Sequence, residues 1–317
     1  MSTFSKAVFN TARYANFRPT YPKSLFEEVY KYHGSSPTAS WGHALDLGCG
    51  TGQATTVLAE RFDSATGVDP SAGMVSTARE TNASSPGKMR FEQSSAEALP
   101  LIASESVDLV TAAQAAHWFK YDQLWPELGR VLRKGGSVAF WNYSEFRLSK
   151  HPRLTTEINA YASDPTQNLG PYWEQPGRGI LDNHLQAIKF PTDGTWDLAS
   201  AQRVYFVGNQ YPTAPIEDPN APISNSPIRL SANDQHREVI LKKTVSWDGL
   251  DSYLRTWSPL VAYWEAHADD KANPSGDIVK RFTQKLRDEV EKDLGGNPGE
   301  EVELEWPLAL IMIRKAN

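Results

Sequence analysis

Between residues 40 and 145, short apolar runs alternate with segments of helical spacing. "HALDLG", "SATGVD", "MRFEQS", "VDLVTAA" and "SVAFWNY" are strand candidates, rich in Val, Leu and Phe. "ATTVLAERF", "SAGMVSTARE" and "YDQLWPELGRVLRKGG" lie between them and read as helices. The last is stopped by Gly135 and Gly136, with Arg130, Arg133 and Lys134 complementing its C-terminal dipole. Parallel neighbours need crossover connections, so this alternation predicts a doubly wound, mostly parallel α/β sheet.

After Tyr143 the pattern loosens. Residues 146 to 236 are rich in Pro, Gly and aromatics, and the stretch "GNQYPTAPIEDPNAPISNSP" reads as a mobile excursion. Regular spacing returns with a strand, "REVILKKTVSW", one helix, "WDGLDSYLRTWSPLVAYWEAH", and a second helix, "DIVKRFTQKLRDEVEKDL", closed by Gly295. The tail "EVELEWPLALIMIRK" reads as strands pairing at the sheet edge. The expected division is an N-terminal cover segment at 1–36, a ligand-binding core at 37–145, a cap insertion at 146–236, and late helices and edge strands at 237–317.

Composition removes several function classes. With 40% hydrophobic and 22% charged residues in 317, the chain has the balance of a folded globular protein. A net charge of −6 and the lack of any long Lys/Arg run argue against a nucleic-acid partner. Cys49 is the only cysteine, which rules out an intrachain disulfide and a Cys-based metal cluster, and no metal is expected. The N-terminus has no apolar signal region and no segment approaches the ~20 apolar residues that span a bilayer, so a cytoplasmic protein without membrane partners is expected.

The candidate chemistry begins at "HALDLGCGTGQAT", where Gly48, Gly50 and Gly52 follow the first strand directly. Such a turn brings backbone N–H groups and a helix N-terminus to the strand ends, where open α/β sheets bind ligands. The dinucleotide fingerprint is G-x-G-x-x-G; here the spacing is G-x-G-x-G, preceded by Asp46. The second strand ends in "GVDPS", where the Asp69 carboxylate is placed to accept both hydroxyls of a ribose. The bland alternatives are a ligand-free tight turn and, for Asp69, a helix N-cap. Cys49 reads as a small turn filler, since no base partner is evident beside it.

Four features together, "LDLGCGTG", Asp69 at its strand end, "SSAEALP" and "LRKGG", resemble the class I S-adenosylmethionine-dependent methyltransferases. That resemblance implies a Rossmann-like sheet of seven strands and S-adenosylmethionine as cofactor. It implies that the glycine loop with Asp46 approaches the methionine part and that Asp69 holds the ribose. Ser95, Ala96 and Glu97 would lie near the adenine with Met74 packed on it, and Gln114 completes the set. In the N-terminal segment, Tyr14 would face the sulfonium and Arg18 the methionine carboxylate.

Outside the core, "MSTFS", "RYANFRPTYP", "AAHWF", "LGPYWEQPGR" and "YLRTWS" are similar to the fungal, yeast-type trans-aconitate methyltransferase family, along nearly the whole chain. The loop from Gly208 to Ser226 departs from that family, being longer and richer in proline. The likeness implies O-methylation of a small acidic acceptor. Arg178 and Arg255 are candidates for gripping it, since guanidinium binds carboxylate in a bidentate fork. Each has a plainer alternative, a helix cap for Arg178 and an ion pair on its own helix for Arg255. His117 and Trp118 follow the fourth strand beside the expected methyl group. Tyr172, Trp173, Trp257 and Trp264 are candidate pocket walls or plain core. Two alternatives stay open: methylation of a hydroxyl, amine or carbon with His117 as base, and a protein that binds S-adenosylmethionine without transferring its methyl group.

Overall fold

The computed structural model describes residues 18–83, 87–209, 213–215 and 228–317; Tyr14 and most of the proline-rich loop lie outside them. The described residues form two compact units, one of residues 20–144, 179–240 and 308–317, the other of residues 145–178 and 241–307 with Arg18 and Pro19.

The first unit carries the sheet. Its early strands are β1 (His43–Leu47), β2 (Ser64–Asp69), β3 (Met89–Gln93), β4 (Val107–Ala113) and β5 (Leu132–Tyr143). They pair in parallel in the order β5, β4, β1, β2, β3. β1, β2 and β4 are buried along nearly their whole length, which is why they read as continuous apolar runs. Helices Gln53–Arg61, Ala72–Thr81 and Tyr121–Val131 lie on the crossovers. The helix Lys23–Gly34 buries Leu25, Phe26 and Val29, with the Phe26 ring edge-on to Trp141 of β5 at 5.6 Å.

The predicted mostly parallel, doubly wound sheet is present, with eight strands among the described residues rather than seven. Beyond β5 come Leu308–Lys315, antiparallel to both its neighbours, then Trp196–Phe206, then Gln235–Arg237. The eighth strand is three polar residues pairing in parallel with Val204–Phe206, so no apolar pattern announces it. Leu308–Lys315 lies inside the sheet and not at its edge; strands on both sides explain its unbroken "LALIMI". Trp196–Phe206 escapes the sequence pattern because its fully buried residues are confined to Trp196 and Val204–Phe206. The helix before β5 ends at Val131, and Gly135 and Gly136 belong to β5, at an irregularity in its pairing with β4.

In the second unit, Leu241–Ser246, Glu301–Trp306 and Arg147–Leu148 form a small antiparallel sheet. The stretch read as one helix is two, Trp247–Leu254 and Pro259–Ala266. Pro259 has no N–H to continue a helix and instead opens the second one. The last helix, Ile278–Leu294, starts at an Asp277 cap that accepts from the Lys280 N–H and stops at Gly295 in the left-handed region, as expected. Among the described residues no helix is long and apolar enough to cross a membrane.

Glu305 stands in register between Arg147 and Lys242 on the two flanking strands. Its carboxylate meets the Arg147 guanidinium at 2.9 Å and Lys242 Nζ at 3.3 Å, with Arg147 and Glu305 both almost fully buried. Removing Arg147 leaves the buried Glu305 carboxylate with the half-exposed Lys242 and costs it its shorter, buried partner. Arg147→Ala is therefore expected to lose about 1.5–3 kcal/mol in urea unfolding, and the double variant Arg147→Met/Glu305→Leu to recover most of it. A loss below about 1 kcal/mol in Arg147→Ala would contradict the pair's importance.

Candidate active site

The strand order reverses at β1, which has β2 on one side and β4 on the other; ligands of open α/β sheets bind at the strand ends there. Asp46, in β1, is fully buried and takes hydrogen bonds from Thr55 Oγ1 at 2.7 Å and Thr111 Oγ1 at 3.0 Å. Burial pushes its pKa up to about 6, with the two hydroxyls holding it back and the charge of Asp69 adding to the rise. Asp46 thus sits beneath the loop, where it joins β1 to β4 and to the helix Gln53–Arg61. Neither threonine stood out in the sequence, although a lone acid in an apolar strand signals that buried partners exist.

Gly48, with φ +64, approaches β4's continuation so closely that a Cβ there would come within 2.5 Å of the Ala115 Cβ. Gly50, with φ +54, is the opposite case: a Cβ there would meet nothing within 4 Å among the described residues. One glycine admits neighbouring protein, while the other leaves room above the loop. Gly52 caps the helix that follows. Cys49 packs against Gly67 and donates its backbone N–H to Val68 O. Burial and then the Asp46 and Asp69 charges push its thiol pKa up, which suits a filler and not a nucleophile.

Asp69 ends β2 with one oxygen accepting from the Gly50 N–H at 2.9 Å and the other from the Ser71 N–H at 2.8 Å. Burial raises its pKa and these two N–H groups oppose the rise. The N-cap reading of Asp69 gives way to its neighbour, since Ser71 Oγ accepts from the Met74 N–H and caps Ala72–Thr81. Met74 is buried. Ser95 is exposed, and Ala96 is buried in the core with Leu47 and Val68. Glu97 accepts the Lys120 N–H at 2.9 Å.

Gln114 follows β4 with φ +58, a left-handed conformation uncommon outside glycine. Its side-chain amide pairs with the backbone of Tyr143, accepting from the N–H at 2.8 Å and donating to the carbonyl at 3.0 Å. His117 is buried on the next turn with its Nδ1 2.5 Å from Asn142 Nδ2, and its ring packs on Trp118, which is partly exposed. Asn142 is the residue the sequence reading missed, although a polar residue in "SVAFWNY" was visible.

The remaining candidates lie in the second unit. Arg18 donates to Thr256 O and stands over the Tyr253 ring at 5.6 Å. Arg178 is buried, bonded to Glu145 at 2.8 Å and Ser163 at 2.5 Å, and lies over the Trp173 ring at 4.1 Å. Arg255 is held by Asp251, on its own helix, and by Asp277, with contacts from 2.5 to 3.2 Å. Burial works against its charge, but the two carboxylates outweigh that and raise its pKa. Trp257 is buried against Phe146, Tyr161 and Trp173; Tyr172 bonds His267 at 2.8 Å; Trp264 lies under Lys271.

Residues 45–140, the stretch that supplies β1, the glycine loop and most of β5, match the family described as "Methyltransferase domain". Over 97% of this chain and 96% of the relative, the sequence is 28% identical to the probable S-adenosylmethionine-dependent methyltransferase CRG1 of Saccharomyces cerevisiae. A solved structure from Anaeromyxobacter dehalogenans, a proposed type II methyltransferase, shares the fold with a TM-score of 0.61 at 23% identity, over 94% of this chain and 98% of that one. The chain is an S-adenosylmethionine-dependent methyltransferase, with its methyltransferase domain on a Rossmann-like sheet. A narrower likeness covers less: the methyltransferase is 34% identical to the trans-aconitate 2-methyltransferase of Deinococcus radiodurans over 131 residues, 40% of this chain and 48% of that one. The site fits its cofactor, since no described residue crowds Gly50 and the Asp69 carboxylate, which can accept hydroxyls, stands beside it.

The buried Asp46 gives a signature in stability. Its folded pKa of about 6 lies above the unfolded value near 4, so between those pH values the folded state holds the extra proton. Stability from this group is therefore full below pH ~4 and lost as pH rises through ~6, by on the order of 2–3 kcal/mol. Asp46→Asn lacks that titration and can still bond both threonines, whose hydroxyls donate or accept. Relative to wild type, the variant is expected to gain that amount between pH 4 and 7 in urea unfolding. Parallel pH profiles would show that Asp46 is ionised without cost.

Proposed function

We propose that this methyltransferase modifies a carboxylate oxygen of a small polycarboxylic acid of trans-aconitate type, giving a methyl ester. The partial match to a trans-aconitate 2-methyltransferase carries the reading, supported by the family-like stretch "LGPYWEQPGR". S-adenosylmethionine supplies an electrophilic methyl group on a sulfonium sulfur. A carboxylate with a reference pKa near 4 is already ionised at neutral pH, so no proton has to be removed before its oxygen attacks. The chain's task is then to align the acid and exclude water.

On this reading the open side of the loop at Gly50 faces the methionine part, and Asp69 takes the ribose hydroxyls on lone pairs beyond those used by Gly50 and Ser71. Ser95, Ala96 and Met74 flank the adenine. Asp46, Gln114 and Glu97 serve from behind, each bonded to protein groups that shape the strand ends. Arg178 and Arg255 hold their own unit together and do not grip the acid. Exchange of a substrate for Glu145, Asp251 or Asp277 would leave a protein carboxylate unpaired.

Two measurements test the reading. Incubation with labelled S-adenosylmethionine and a panel of di- and tricarboxylic acids should give a methyl ester, identified by mass spectrometry. An ether or N-methyl product from other acceptors, with the acids inert, would replace carboxylate by hydroxyl or amine chemistry. Calorimetry should show Asp69→Ala weakening cofactor binding by about 1.5–3 kcal/mol, or about 10- to 150-fold, in a folded variant. Unchanged affinity would remove Asp69 from the ribose site.

A further inference from the structure

The helix Ile278–Leu294 turns Ile278, Arg281, Phe282 and Lys285 to one face, at the i, i+3, i+4, i+7 spacing of a helical stripe. The helix Thr155–Ser163 adds Glu157, Ala160 and Tyr161 at the start of the same spacing. Both stripes line a cavity of about 650 Å³ whose described walls come entirely from the second unit. That volume is in the usual range of small-molecule sites.

Much of the wall is aromatic. Tyr161 and Phe282 lie face to face with ring centres 3.7 Å apart. Tyr263 stacks on His267 at 4.5 Å and meets Tyr172 edge-on at 5.5 Å, while the Tyr172 hydroxyl pairs with His267 Nε2 at 2.8 Å. Tyr172 belongs to the stretch "LGPYWEQPGR", and Gly170 of that stretch lets the chain arrive there, since a Cβ on it would stand 1.7 Å from the Asp164 carbonyl oxygen. Rings already held against one another offer a ligand flat faces and edges, and little side-chain freedom is left to lose on binding.

The same helix face carries two cations. Arg281 and Lys285 are like charges at i, i+4 spacing, an arrangement that disfavours the helix unless it is neutralised. Asp270 holds Arg281 at 2.6 Å, and Glu157 pairs with Lys285. The Lys285 and Glu157 side chains are 56% and 40% exposed, so their pair contributes little and the ammonium can turn to another carboxylate. An anion beside the two cations would relieve their repulsion.

We propose that this cavity is a further ligand site that takes a small aromatic carboxylate, with the ring against the tyrosines and the carboxylate on Lys285 with Arg281 nearby. Which acceptor receives the methyl group has no bearing on it.

The probe is naphthoate, titrated by calorimetry into the full chain saturated with S-adenosylmethionine, so that the cofactor site is filled. It should bind about 5-fold or more tightly than naphthamide, which keeps the ring and lacks the charge, and than decalin carboxylate, which keeps the charge and lacks the aromatic faces. Lys285→Gln should weaken naphthoate by about 5-fold and remove its advantage over naphthamide. Tyr172→Phe keeps the ring and should retain most of the binding, whereas Tyr172→Leu should lose about 5-fold. Lys285 is an exposed position, so its variant and the two analogues decide the matter even should Tyr172→Leu fail to fold. Absence of naphthoate binding, equal affinity for naphthamide or for decalin carboxylate, or unchanged affinity in Lys285→Gln would each overturn the proposal.

Discussion

The carboxylate of Asp46 is the constraint on which the strand ends depend. A charge so deeply buried is costly unless hydrogen-bonded, and the two hydroxyls that meet it come from different elements, Thr55 after the loop and Thr111 on β4. Their demand fixes where the helix Gln53–Arg61 begins relative to β1. The chain between must then turn within five residues, which left-handed glycines permit and other residues resist. Gly48 meets Ala115 on that path and Gly50 leaves open room, with its N–H delivered to Asp69. The turn at Gly50, which no described residue crowds, and the carboxylate beside it are thus consequences of one buried acid.

A similar dependence runs from β4 to β5. Gln114 adopts a strained conformation that costs on the order of 1–3 kcal/mol, and such strain persists only where surrounding contacts determine it. The contacts are its two bonds to Tyr143, which extend the β4–β5 pairing by one side chain. Tyr143 neighbours Asn142, and Asn142 meets His117, three residues beyond Gln114 in sequence. Strain at Gln114, burial at Asn142 and the orientation of His117 therefore form one connected arrangement.

The sheet from β1 to β5 was legible because its apolar runs are local and alternate with helical ones. Legibility failed where a residue's role is set by distant partners. Leu308–Lys315 was recognisable as a strand, but its place between β5 and Trp196–Phe206 depends on pairing that no local pattern encodes. Gln235–Arg237 is a strand only because Val204–Phe206 offers it a ladder. At the site, the glycines and Asp69 were visible as a spaced motif, whereas Thr55, Thr111 and Asn142 matter through single contacts from other elements. The arginines show the same limit: Arg178 stood out within a motif, while Glu145, which neutralises it, lies 33 residues away.

That Arg178 and Arg255 are paired with protein carboxylates agrees with the chemistry proposed for the acid. A reacting carboxylate carries its full charge before methyl transfer and loses it as the ester forms. A guanidinium fork on the reacting group would therefore stabilise the ground state more than the transition state and slow the reaction, because only interactions stronger in the transition state accelerate it. A neutral donor such as an imidazole N–H orients the same oxygen with a smaller penalty. It also leaves the second lone pair of that oxygen to attack. Full charges are then useful only against carboxylates that do not react, where they add binding without weakening the nucleophile.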